Sequence, residues 1–281
     1  MDEIQIRASL EGLPLGGIRY HPCVSSTNDV AAQWVIEGAP DLALVIADEQ
    51  TTGRGRDGRA WYTPPASALA LSLIIYPAET IPYIQSRLTA LGALAVHNVL
   101  RKHYNLPAAI KWPNDVLVNR LKLAGILAEA HWSGEALKAV ILGIGINVSS
   151  HSVEEAERLG GSLIFPATCM ENAVGHAVNR LELLKQVVQE LLYWRPRIGS
   201  FEFLQAWEAN LAFRGEVVQV SLGGSSGKDG LPLSLESRPP SIEEGLIVGL
   251  SPDGSLRLRK ENGEIVNVHF GEVRLRSLQK S

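Results

Sequence analysis

GRGRDGRAW, from Gly53 to Trp61, and KWPND, from Lys111 to Asp115, decide how this chain is read. The first sets Arg54, Arg56 and Arg59 among Gly53, Gly55 and Gly58. Glycine lets a backbone turn sharply and approach a ligand with no Cβ in the way. Arginine adds a planar, permanently charged fork that suits carboxylate and phosphate. Such a stretch makes a poor helix or strand interior, so it reads as a loop that closes over an anion. Taken alone it would be a solvated basic turn; its neighbours along the chain argue otherwise.

Working outward, STND stands at Ser26 to Asp29 and DEQ at Asp48 to Gln50, directly before the loop. KLAG follows KWPND at Lys122 to Gly125, and LGIGIN closes the series at Leu142 to Asn147. From about Ser25 to Val148, with a weaker match through the C-terminus, this ordered set resembles the biotin protein ligases, which biotinylate carboxylase carrier domains.

The apolar periodicity gives an α+β pattern. A helix starts at Ser26 or Thr27, either of which can cap it, and turns Val30, Trp34 and Val35 inward before Gly38. Leu42 to Ala47 and Leu69 to Ile75 read as buried strands, and Leu88, Leu91, Ala95 and Val99 mark a helix from Ile84 to about His103. Strands are expected at 110–112, 116–118, 125–130 and 139–148. Leu184, Val187, Val188, Leu191 and Leu192 define a further helix ending before Pro196. From Phe213 short alternating segments separated by turns suggest a small barrel. Gly223 to Gly245 reads as a long, flexible Gly/Ser/Pro-rich insert within it. The resemblance implies a mixed sheet with flanking helices over 1–212, of the class II synthetase and biotin ligase kind. It also implies an SH3-like domain over 213–281.

Composition excludes other classes. The net charge is −4, from 26 Lys plus Arg against 30 Asp plus Glu, which argues against a dedicated nucleic-acid binder. Residues 1–24 read as a lead-in able to hold a strand or little more, with no room for a helix-turn-helix. The resemblance is therefore to the ligases that lack a DNA-binding domain, rather than to biotin-responsive repressors. Cys23 and Cys169 are the only cysteines and share no metal or disulfide spacing, which fits a reducing cytoplasm. The first residues show no basic stretch followed by an apolar one, so no signal peptide is expected, and no apolar run reaches the roughly eighteen residues that a bilayer requires.

Joining a carboxylic acid to ATP brings an anion against a polyanion, so the site must supply cations. Two unit charges 4 Å apart repel by about 4 kcal/mol at an effective dielectric near 20. Arg54, Arg56, Arg59, Lys111 and Lys122 are the available supply. By resemblance, Arg54, Gly55 and Arg56 wrap the biotin carboxylate and then biotinyl-5′-AMP, and Lys122 meets the carboxylate and the α-phosphate. Lys111, Arg54, Arg59, Trp61, Asn114 and Asn147 fall to ATP. Ser26, Thr27, Asn28 and Gln50 supply donors and acceptors for the neutral ureido ring, beside Gly125. Asp115 is the candidate to bind Mg²⁺, with Asn147, or to orient the acceptor lysine; read alone it is a turn aspartate. Trp61 and Trp112 either line the pocket or belong to the core. The implied substrates are ATP and biotin, and the implied partner is a biotin carboxyl carrier protein. The resemblance is compatible with a homodimer. A lipoate or octanoate ligase or transferase of related fold is the alternative.

Overall fold

ALALSLII forms β3 (Ala68–Ile75), and each of its residues is buried. In the computed structural model, which describes residues 1–77, 83–158, 166–222 and 241–275, this strand lies inside a seven-stranded sheet. The others are β1 (Gly17–Val24), β2 (Ala43–Gln50), β4 (Ala108–Lys111), β5 (Asp115–Val118), β6 (Leu121–Ser133) and β7 (Ala136–Asn147). Their order is β1-β2-β3-β7-β6-β5-β4. Only β1 and β2 are parallel; the remaining pairs are antiparallel. The parallel pair needs a crossover, which α2 (Thr27–Ile36) provides.

Helix α3 (Ile84–Tyr104) packs along β6 and β7, with Leu88, Leu91, Ala95 and Val99 fully buried as their spacing requires. It ends on Asn105 in the left-handed conformation, a usual helix stop. Helix α6 (Arg180–Trp194) covers α3, burying Leu184, Val187, Val188 and Leu191. Leu192 is only partly buried at the edge of that contact. Shorter helices are α1 (Glu3–Ser9), α4 (Ser150–Arg158), α5 (Met170–Val174) and α7 (Phe201–Ala209).

Three expectations change. The lead-in holds a helix as well as a strand: Asp2 and Gln5 close a capping box over α1, and Ile6 anchors it in the core. Ser26 takes the N-cap position of α2, but its side chain makes no capping bond. The Thr27 amide donates instead to Gln50 Oε1 at 2.8 Å. The inward face of α2 is also rotated, because Ala31 and Val35 are buried together with Thr27 and Asn28. Val30 and Trp34 pack at its margin, and Arg19 lies 4.1 Å over the Trp34 ring.

The C-terminal strands are β8 (Val217–Leu222), β9 (Ser241–Leu250), β10 (Leu256–Arg259), β11 (Ile265–Val268) and β12 (Glu272–Leu275). They form a five-stranded antiparallel sheet in the order β11-β10-β9-β8-β12. The expected insert is shorter than the composition suggested, since 241–245 pair with β8 from Leu222 to Val218. Gly245 sits there because a Cβ would stand 2.8 Å from the Arg259 carbonyl oxygen. Residues 223–240 of that insert lie outside the described residues. Val218, Val220, Leu256 and Leu258 are buried in the same cluster as α6 and α7, so one core runs through both sheets. Among the described residues no helix is long and apolar enough to cross a membrane.

Candidate active site

Every residue assigned from sequence to biotin, ATP, catalysis or metal lines one cleft of about 320 Å³, at the edge of β5, β6 and β7 under the glycine loop. That volume suits a small molecule. The loop folds as an irregular hairpin: the Gly55 amide donates to Arg59 O at 2.7 Å and the Trp61 amide to Gly53 O at 2.8 Å. Its tip turns through Asp57 and Gly58 at positive φ, and a single 3₁₀ turn runs Arg56–Gly58.

One end of the cleft is neutral and polar. Thr27 Oγ1 donates to Gln50 Oε1 at 3.1 Å, and Gln50 Nε2 donates to Thr63 Oγ1 at 3.1 Å. Ser72 Oγ lies 2.8 Å from Thr27 Oγ1 and 2.6 Å from Asn28 Oδ1, fully buried. Asn28 Nδ2 donates to Glu129 Oε2 at 2.5 Å. Ser26 is buried beside this network. Gly143 leaves room for it, because a Cβ there would approach Asn28 Oδ1 to 2.4 Å. Ser72 and Thr63 were missed in the sequence; a lone serine in an apolar buried strand was the available signal for Ser72.

The middle is narrow and apolar. Trp61 packs against Gly125 and Gly145, and a Cβ on Gly145 would come within 2.3 Å of the indole. Lys122 Nζ lies 5.5 Å from the centre of the Trp61 ring. Trp112 is buried, and its indole N–H donates to Gly254 O at 3.0 Å, so it belongs to the core as well as to the cleft wall.

The other end is charged. KWPND is the turn between β4 and β5, which brings Lys111 and Asp115 opposite each other. Lys122 Nζ lies 2.7 Å from Asp115 Oδ1, and Lys111 Nζ lies 3.5 Å from Oδ2. Burial alone would raise the Asp115 pKa, but the two ammonium groups hold it below the usual carboxylate range. Burial lowers the Lys111 pKa against the pull of Asp115 and Glu272. Glu272, from β12, pairs with Arg59 at 2.5 Å and with Lys111 at 3.7 Å. No sequence signal pointed to it, since it lies in the distant small sheet. Arg56 donates to Asn114 Oδ1 at 3.3 Å and so ties the loop to KWPND. Arg54 points elsewhere, pairing with Asp29 at 2.6 Å and Glu129 at 3.5 Å. The Arg54 guanidinium keeps the Asp29 carboxyl below its ordinary range.

Asn147 Nδ2 donates to Thr168 O at 3.1 Å, and no cluster of three metal-ligating acids, cysteines or histidines exists among the described residues. A cation at Asp115 would face two lysine ammonium groups. The donor set therefore does not fit a resident Mg²⁺ site.

Residues 20–147 match the Biotin/lipoate A/B protein ligase family, and residues 235–276 match the Biotin protein ligase C terminal domain. The Bifunctional ligase/repressor BirA of Bacillus subtilis is 34% identical over 190 residues, which is 67% of this chain and 57% of that protein. The chain thus spans little more than half the length of that relative. The Biotin--[acetyl-CoA-carboxylase] ligase of Paracoccus denitrificans is 32% identical over 255 residues, covering 88% of this chain and 97% of that one. The biotin protein ligase of Aquifex aeolicus, solved in complex with biotin and ATP, superposes with a TM-score of 0.71 at 27% identity. That match covers 92% of this chain and 98% of the Aquifex chain. On the sequence motifs, the two-sheet fold and these similarities, the chain belongs to the biotin protein ligase family.

Proposed function

We propose that the protein is an ATP-dependent biotin protein ligase. The observation that carries this reading is the polarity of the cleft: a neutral hydrogen-bonding end, an apolar waist and a cationic end in one line. Biotin has the same order, with a ureido ring, a hydrocarbon bicycle and chain, and a carboxylate. Thr27, Gln50, Asn28 and Ser72 face the ureido group; Trp61 and the Gly125/Gly145 floor hold the apolar part. Lys122 then meets the carboxylate.

The reaction runs in two halves. A biotin carboxylate oxygen attacks the α-phosphorus of ATP, the α–β bridge breaks, and pyrophosphate leaves. Lys122 and Arg56 offset the charge that builds between carboxylate and α-phosphate, while Lys111 and Arg59 hold the remaining phosphates. In the free chain Asp115 pairs with Lys122 and Lys111, and Glu272 pairs with Arg59 and Lys111. An incoming triphosphate therefore exchanges partners rather than meeting bare charge. In the second half a lysine amine of a biotin carboxyl carrier domain attacks the acyl carbon of biotinyl-AMP, and AMP leaves. Asp115, released from Lys122, is placed to orient that amine. We assign the chemistry to 1–212 and a supporting role to 213–281.

The test is the mass of a recombinant carrier domain incubated with the protein, biotin and ATP. The expected result is one added biotinyl group, lost when ATP is omitted or when the acceptor lysine is changed to arginine. An unmodified carrier would contradict the assignment.

A further inference from the structure

The turn between β9 and β10, Ser251 to Ser255, does more than connect two strands. Three successive carbonyls on it accept bonds from the catalytic sheet's side of the molecule. Pro252 O accepts from Arg87 at 2.9 Å, Asp253 O from Ser86 Oγ at 3.1 Å, and Gly254 O from the Trp112 indole at 3.0 Å. Trp112 lies within KWPND, between Lys111 and Asn114. The turn can present these carbonyls only in its observed shape. Gly254 has φ +84, and a Cβ on it would come within 2.6 Å of Trp207.

The Asp253 carboxylate fixes that shape. Its Oδ1 accepts from the Ser255 amide at 3.0 Å and from Ser251 Oγ, and its Oδ2 accepts from Ser255 Oγ at 2.7 Å. These bonds hold its pKa down to about 2. Asp253 also reaches the cationic end by a second route. His269 Nδ1 lies 3.2 Å from Asp253 Oδ2 and 2.7 Å from Ser255 Oγ. Three residues later Glu272 pairs with Arg59 and Lys111.

We propose that Asp253 is a positioning residue for the nucleotide end of the site, acting through Gly254 on Trp112 and through His269 on the strand that delivers Glu272. The neutral end, built from Thr27, Gln50 and Ser72, receives no bond from this turn. The proposal rests on the ligase reading and predicts a selective defect. Loss of Asp253 weakens nucleotide binding and leaves biotin binding unchanged, which general loosening of the fold would not do.

The experiment uses the intact chain and calorimetry with two probes, biotin alone and α,β-methylene-ATP on the biotin-bound protein. One neutral hydrogen bond corresponds to about a three- to tenfold change in affinity. Asp253→Ala is expected to raise the Kd for the ATP analogue by about that factor, with the biotin Kd unchanged. Trp112→Phe, which removes the indole donor together with part of the ring, is expected to raise the analogue Kd by a similar factor. The double variant should be no worse than the weaker-binding single one, because both interrupt one route. Should Asp253→Ala not fold, Asp253→Asn keeps one acceptor oxygen and is compared with Trp112→Phe in the same cycle. An unchanged analogue Kd, an equal loss of biotin affinity, or multiplying effects in the double variant would overturn the positioning role while leaving the ligase reading intact. A wild-type protein that binds neither probe would instead remove the ligase reading, and this proposal with it.

Discussion

Lys122 and Arg56 carry different parts of the account, and each can be removed separately. Lys122 approaches Asp115 at 2.7 Å, lies 5.5 Å from the centre of the Trp61 ring and is only 24% exposed. On the proposed reaction its charge matters most as the carboxylate attacks phosphorus, so Lys122→Ala should slow adenylate formation about 10²- to 10³-fold. ATP binding, held also by Lys111 and Arg59, should change far less. Single-turnover formation of biotinyl-AMP checks this, and a near-normal rate would return Lys122 to a structural role. Arg56 crosses from the loop to Asn114 at 3.3 Å, which suits a latch over the product of the first half-reaction. A charge-assisted bond contributes about 1.5–3 kcal/mol, so Arg56→Gly should release biotinyl-AMP about one to two decades faster. Freed anhydride acylates amines without an enzyme. The expected readout is biotin appearing on added serum albumin, and labelling confined to the carrier would contradict the latch.

Elements differ in how openly the sequence declares them. Helices α3 and α6 were legible because their apolar residues recur at helical spacing over several turns, and β3 and β7 because an apolar run bounded by turn residues has few alternatives. The six motifs likewise converge, since residues from each line the same cleft. Helix α1 was not legible: it is short, one buried residue anchors it, and its stability comes from the Asp2/Gln5 box and packing on α6. Ser72 and Glu272 were hidden for another reason. Their roles depend on which strand lies next to which, and that is settled by long-range pairing rather than local pattern. The 251–255 turn is such an element, and its carboxylate makes it sensitive to acid. The Asp253 pKa falls from the ordinary 3.8 to about 2 on folding. A depressed carboxylate stabilises the fold above its unfolded pKa, and that stabilisation disappears as pH drops through the folded value. Asp253→Asn should therefore cost about 2 kcal/mol at pH 6 and almost nothing at pH 2, measured as the difference in denaturant unfolding between variant and wild type. A difference that persists undiminished at pH 2 would show that the carboxylate charge is not what holds the turn.

At the scale of the whole molecule, the two sheets share one hydrophobic core, and the smaller sheet contributes Glu272 and the Gly254 carbonyl to the cationic end of the cleft. The neutral end is built from α2, β2, β3 and the loop between those two strands. This division makes acid selection and nucleotide handling separable properties of one site. On the proposed function, choice of acid falls to Thr27, Gln50, Asn28 and Ser72, whose donors and acceptors would be left unpaired by an acid without a ureido ring. The most direct measurement is ATP–pyrophosphate exchange by the purified protein, with biotin, lipoate and octanoate supplied in turn. Exchange with biotin, and background levels with the other two acids, is the expected result. Equal exchange with lipoate or octanoate, or none with biotin, would contradict the assignment of the cleft.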